Sequence, residues 1–144
     1  MKKDIIATVP SYFRDDMNIM GFRFGKGEKT CAVLGALRGN EVQQLYVCAR
    51  LVSFLREVER DGGILPGKSV LVVPTAIGLS MNVGDRLWSP ENMDINRRFP
   101  GSSEGTTTER IAAALSVSRS TVNKEIAAIK HGLRQKLESE GYYI

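Results

Sequence analysis

Histidine is nearly absent: the 144 residues hold one, His131. Any chemistry that needs several imidazoles, such as a multi-histidine metal centre, has little to draw on. Cysteine is scarce too. Cys31 and Cys48 match no zinc or redox spacing, and both read as reduced thiols buried among apolar neighbours. No apolar run approaches the ~20 residues that a membrane helix needs. The opening MKKDIIATVPSYF carries two lysines but no apolar stretch long enough for a secretory signal. A cytoplasmic protein without a membrane partner is therefore expected. A strong charge excess is also missing. Residues 1–105 hold 14 basic and 12 acidic side chains, and residues 106–144 hold 6 and 4, so each part contributes +2 to the net +4. Charge alone does not announce nucleic-acid binding. With 42% hydrophobic and 25% charged residues and no repeat or low-complexity tract, the chain reads as folded. Its length fits one domain, or a small domain with an appendage.

What is present is organised. Residues 4–9 (DIIATV) and 19–24 (IMGFRF) are short apolar runs bounded by turn-like segments, which predicts a strand pair. The run 30–36 (TCAVLGA) is continuously apolar and reads as a buried central strand. Residues 40–60 repeat apolar side chains at three- and four-residue spacing, at Val42, Leu45, Tyr46, Ala49, Leu51, Val52, Leu55 and Val58. They predict a helix capped by Asn40 and stopped at Asp61-Gly62-Gly63. Residues 69–74 (SVLVVP) follow as a second buried strand. Strand, helix and strand make a βαβ unit with a parallel pair. Residues 75–105 read as a long loop, long enough to suggest function. The expected fold class is α/β: a small mixed sheet around a βαβ unit with a C-terminal helical hairpin, divided as 1–105 and 106–144.

Chemistry-bearing residues gather in that frame. Arg38 and Glu41 fall where a parallel strand hands over to a helix, the end at which open α/β sheets bind ligands. Arg86 lies on the long loop, followed by DINRRFPG, in which Asn96 and Arg97 are suited to a carboxylate, Arg97 through its two-pronged guanidinium. Arg38 with Arg97 also offers an anion a place at the helix start.

TCAVLGALRGNEV, ILPGKSVLVVPTA, MNVGDRLW, DINRRFPG and TTTERIAA, in this order and spacing, resemble the succinylglutamate desuccinylase/aspartoacylase family of the zinc carboxypeptidase superfamily, over residues 4–112. The resemblance implies amide hydrolysis of N-acyl amino acids by a zinc-activated water, with the metal held by His, Glu and a later His, and a further Glu as base. It places the first metal ligand at residue 38, the second at Glu41, and the substrate-carboxylate binders at Arg86, Asn96 and Arg97. Residue 38 is arginine, which has no lone pair to give a metal. The family's Asn-Pro after the second strand is replaced by Ile77-Gly78. The downstream His and Glu have no counterparts after residue 112. Glu41 is left as a residual ligand. The expectation is a truncated, metal-site-degenerate relative that binds no zinc and is inactive as it stands, with no catalytic residue assigned.

The last segment carries a different pattern. IAAALSVSRSTVNKEIAAIK spaces apolar residues as a helix-turn-helix does, with Ile111 and Leu115 inward on the first helix, Ala112 small where the two helices approach, and Val122, Ile126 and Ile129 inward on the second. It resembles the helix-turn-helix of bacterial transcription regulators, with Arg119, Thr121, Asn123 and Lys124 facing DNA. An amphipathic hairpin packed on the α/β unit is the equal alternative. TTTERIAA suits both resemblances, so a natural or constructed chimera joined there is a further expectation. An exposed sheet edge favours a homodimer.

Overall fold

The computed structural model describes residues 1–10 and 15–115. Four strands form one mixed sheet: β1 (Lys2–Val9), β2 (Met17–Gly25), β3 (Lys29–Ala36) and β4 (Lys68–Thr75), in the order β1-β2-β4-β3. The pairs β1–β2 and β2–β4 are antiparallel, and β3–β4 is parallel. Helix α1 (Val42–Arg60) makes the crossover between β3 and β4, as the βαβ reading expects. A short helix α2 (Gly78–Val83), a single 3-10 turn at Ile95–Arg97 and α3 (Thr107–Leu115) complete the described residues.

The sheet separates two cores. On one face Phe24 and Val72 pack with Cys48, Val52 and Leu55 of α1. On the other, Ile19 and Val73 pack with Trp88, Ile95, Ile111 and Leu115. Successive residues of β4 serve opposite faces, which is why the strand is apolar from Val70 to Pro74: it is central and covered on both sides there, while Lys68 at its start is exposed.

Several expectations need correction. The run 30–36 is not central; among the described residues β3 is an edge strand, and Thr30, Cys31 and Ala32 are exposed. Cys31 is therefore an exposed thiol, whereas Cys48 is buried as expected. Burial also pushes the Cys48 thiol up, away from the reactive thiolate. Asn40 does not cap α1. Glu41 holds the cap position and makes no side-chain cap bond. Val42, Tyr46 and Ala49 of the expected apolar stripe are exposed, and the buried members of the helix are Cys48, Val52 and Leu55. The 75–105 segment is not structureless, since α2 and the 3-10 turn lie within it.

Helix α3 begins with a complete set of partners. Its Thr107 and Thr108 amides donate to Oε1 and Oε2 of Glu91, at 2.6 and 3.0 Å. Thr106 Oγ1 accepts from the Glu109 amide, and Glu109 Oε2 accepts from the Thr106 amide, the reciprocal pairing of a capping box. The Arg110 amide reaches the Thr106 carbonyl. All four amides that a helix start leaves open are thereby satisfied. Gly101, at φ +83°, lies against this helix; a Cβ there would meet the Glu109 carbonyl oxygen at 2.2 Å. Ile111 and Leu115 face inward as expected, and Ala112 is fully buried. The rest of the expected hairpin, with Arg119, Thr121, Asn123, Lys124 and His131, lies outside the described residues.

Candidate functional site

The carboxyl ends of the parallel pair, Ala36 of β3 and Thr75 of β4, lie side by side. Each opens into a turn. After β3 the chain passes Leu37, Arg38, Gly39 and Asn40 to α1; after β4 it enters α2. The two turns touch at Gly39. A Cβ on that residue would lie 2.1 Å from the Asp85 carbonyl oxygen and 2.5 Å from the Ser80 carbonyl group. Glycine is required here by close approach of backbones, not by an unusual dihedral angle. Arg86 follows directly on this contact. It has no hydrogen-bond or ion-pair partner among the described residues.

The loop beyond α2 is pinned from below by Trp88 and Ile95, which are 4% and 1% exposed. Its first and last parts meet through the Trp88 amide, which donates to the Met93 carbonyl at 2.7 Å. Asp94 precedes the 3-10 turn. Its Oδ1 accepts from the Asn96 amide at 3.1 Å, fixing the turn that carries Asn96 and Arg97.

Arg38 reaches across to this loop. Its Nε and Nη2 donate to Asp94 Oδ2 at 3.2 and 3.0 Å, and its Nη1 donates to Glu41 Oε1 at 3.5 Å. The other Glu41 oxygen, Oε2, accepts from the Leu37 and Arg38 amides at 3.0 and 3.1 Å. Arg97 approaches the same Asp94 oxygen with Nε at 3.7 Å, but its side chain is 75% exposed. Arg38, Glu41 and Asp94 are far less so, at 24%, 23% and 10%. Asp94 beside Arg38 holds the guanidinium proton more firmly than usual, and Glu41 adds to the effect.

The structure thus brings Arg38, Glu41, Asp94 and Arg97 together, with Asn96 next to Arg97 and Arg86 next to the Gly39 contact. The sequence assigns Asp94 no role, although it stands inside DINRRFPG. Its proximity to Asn96 hints at a turn, but nothing local reveals a partner 56 residues away. A groove of about 870 Å³ lies elsewhere, beside the end of α3, lined by Lys2, Arg23, Thr30, Leu71 and Leu115 among others; it includes none of Arg38, Arg86, Asn96 or Arg97.

Among the described residues, the donor set does not fit a catalytic zinc ion. Such a site takes three protein ligands and an open position. Here Glu41 is engaged by two amides and a cation, and Asp94 by guanidinium groups. No group of three or more His, Cys, Asp or Glu side chains suited to a metal occurs among the described residues.

No family model matches the chain, and no curated protein matches it. Solved structures do. An aspartoacylase family protein from Mesorhizobium loti superposes with a TM-score of 0.60 at 28% identity, over 76% of this chain and 33% of that one. A succinylglutamate desuccinylase/aspartoacylase from Rhodobacter sphaeroides gives 0.57 at 21% identity, over 75% and 33%. The ectoine utilization protein EutE from Ruegeria pomeroyi, in a product-bound structure, gives 0.55 at 22% identity, over 74% and 32%. The chain therefore has a deacylase-like α/β fold, and it spans about a third of the length of these structures.

Proposed function

We propose that this chain is a metal-site-degenerate member of the deacylase-like fold that binds a carboxylate-bearing small molecule, an N-acyl amino acid by class, without hydrolysing it. The observation that carries the reading is the engagement of Arg38 by Asp94 and Glu41. It puts a fixed cation where the family resemblance puts the first metal ligand. The groups that the resemblance gives to the substrate carboxylate are differently placed. Arg86 is unpaired among the described residues, the Asn96 side chain is likewise without a partner there, and the Arg97 guanidinium is mostly exposed. A guanidinium can grip a carboxylate with two parallel hydrogen bonds, and an amide beside it supplies a further donor.

Calorimetric titration with N-acetylglycine and longer N-acetyl amino acids tests this. Saturable binding that is lost in Arg97→Met supports it. Release of free amino acid that requires added zinc overturns the claim of inactivity, and no binding at millimolar ligand overturns the binding role.

The β3 edge favours one further reading, a homodimer. β1, at the opposite edge, carries Lys2, Lys3 and Asp4 and an irregularity between Ile5 and Ala7, devices that discourage pairing. The outer segment Thr30–Ala36 of β3 has no charged residue, proline or bulge. A concentration-dependent mass, abolished by Ala32→Pro on this edge, is expected in sedimentation; a monomer at every concentration rejects the dimer.

A further inference from the structure

We infer that the Arg38 guanidinium is a built-in substitute for a bound cation: it neutralises Glu41 and Asp94 and ties the α1 entry turn to the loop that presents Asn96 and Arg97. Glu41 and Asp94 come from segments 53 residues apart in the chain, and both have less than a quarter of the side chain exposed. Two partly buried carboxylates facing one space repel unless a positive charge stands between them. A divalent ion is one solution. Arg38 is another, and its shape is suited to bridging them, since two nitrogens address Asp94 and the third addresses Glu41.

The remaining carboxylate oxygens are also accounted for. Glu41 Oε2 takes the Leu37 and Arg38 amides, and Asp94 Oδ1 takes the Asn96 amide. Each carboxylate thus gives one oxygen to its own turn and one to the shared cation, and the mostly exposed Arg97 adds a longer contact, 3.7 Å, to the same Asp94 oxygen. The guanidinium proton is held more firmly than usual, so the charge persists at any physiological pH. A metal-dependent fold loses this link in the presence of a chelator; this one keeps it, because the cation is covalently part of β3's exit turn.

The inference is independent of ligand binding, and thermal midpoints read by circular dichroism decide it. Chelator and zinc should leave the wild-type midpoint unchanged. Arg38→Met should lower it by about 4 °C or more. Arg38→Met combined with Glu41→Gln and Asp94→Asn, which removes the charges to be neutralised, should recover at least half of that loss. In Arg38→His, micromolar zinc should raise the midpoint by several degrees while leaving the wild type unmoved, since the vacated space then presents an imidazole and two carboxylates. An unchanged midpoint in Arg38→Met overturns the inference. So does a triple variant no better than the single one. If Arg38→Met fails to fold, a folded triple variant still supports the role, and an unfolded one rejects it.

Discussion

Replacing Glu91 by glutamine should destabilise the protein at neutral pH and make almost no difference in acid. Glu91 joins the loop to the start of α3 through two hydrogen bonds, one to each of the first two helical amides. Glutamine keeps one acceptor but turns an NH₂ toward the second amide. The loss comprises one charge-assisted hydrogen bond, roughly 1.5–3 kcal/mol, and the attraction of a carboxylate to a helix start, roughly 0.3–1 kcal/mol. Relief of charge burial offsets part of this. A net loss of about 1–2 kcal/mol is expected, or about 3–8 °C in the thermal midpoint for a domain of this size. Burial alone raises the carboxyl pKa, but the hydrogen bonds from Thr107 and Thr108 outweigh it, and the folded value lies below the ordinary one. A lowered folded value means that the contribution is complete above the unfolded pKa. It fades as pH falls through the folded pKa. Calorimetric midpoints of both proteins, compared from about pH 7 down to about pH 3, where Asp and Glu titrate, should therefore converge. Equal midpoints at neutral pH, or a gap that persists in acid, refute the reasoning.

Other perturbations follow from the same structure. Ile111→Ala empties a position that is 2% exposed between α3 and the sheet, and should cost about 2–5 kcal/mol in urea unfolding. Gly39→Ala drives a methyl into the Ser80–Asp85 backbone and should cost about 1–3 kcal/mol or more, with chemical-shift changes at both contacting turns. Glu59 accepts from the terminal amino group of Met1 and from the Gly25 amide, which hold its carboxyl below the usual range. Its contribution is therefore present at neutral pH and lost in acid. Glu59→Gln should flatten the acid limb of the pH–stability curve, and an unchanged limb counts against the assignment.

Much of the fold is legible in the sequence. Strand β4 announces itself because a strand covered on both faces needs a continuous apolar run, here Val70 to Pro74. The α1 periodicity shows because a helix of 19 residues is long enough for the repeat to recur. The misplacement of β3 has a specific cause. TCAVLGA is apolar mainly through small residues, and a run of Cys, Ala and Gly fits a crowded centre or a bare edge equally well. Helix α2 escapes detection because 6 residues opening at Gly78 are too few for periodicity. At the candidate site, local motifs locate Arg38, Glu41, Arg86, Asn96 and Arg97. They do not reveal that Asp94 grips Arg38, nor that Glu91 caps α3 from 16 residues upstream. Both are long-range pairings of ordinary acidic residues, and neither leaves a local pattern.

The absence of a side chain at Gly39 reaches beyond sterics. Two turns seated backbone on backbone cannot slide or hinge against each other without breaking that seat. The turn that carries Arg38 and the segment that leads into Arg86 are thereby held against each other. Under the proposed binding role, a carboxylate ligand would meet a preformed surface and lose little of its binding energy to ordering the protein. The association rate should then depend on ionic strength more than on slow conformational change.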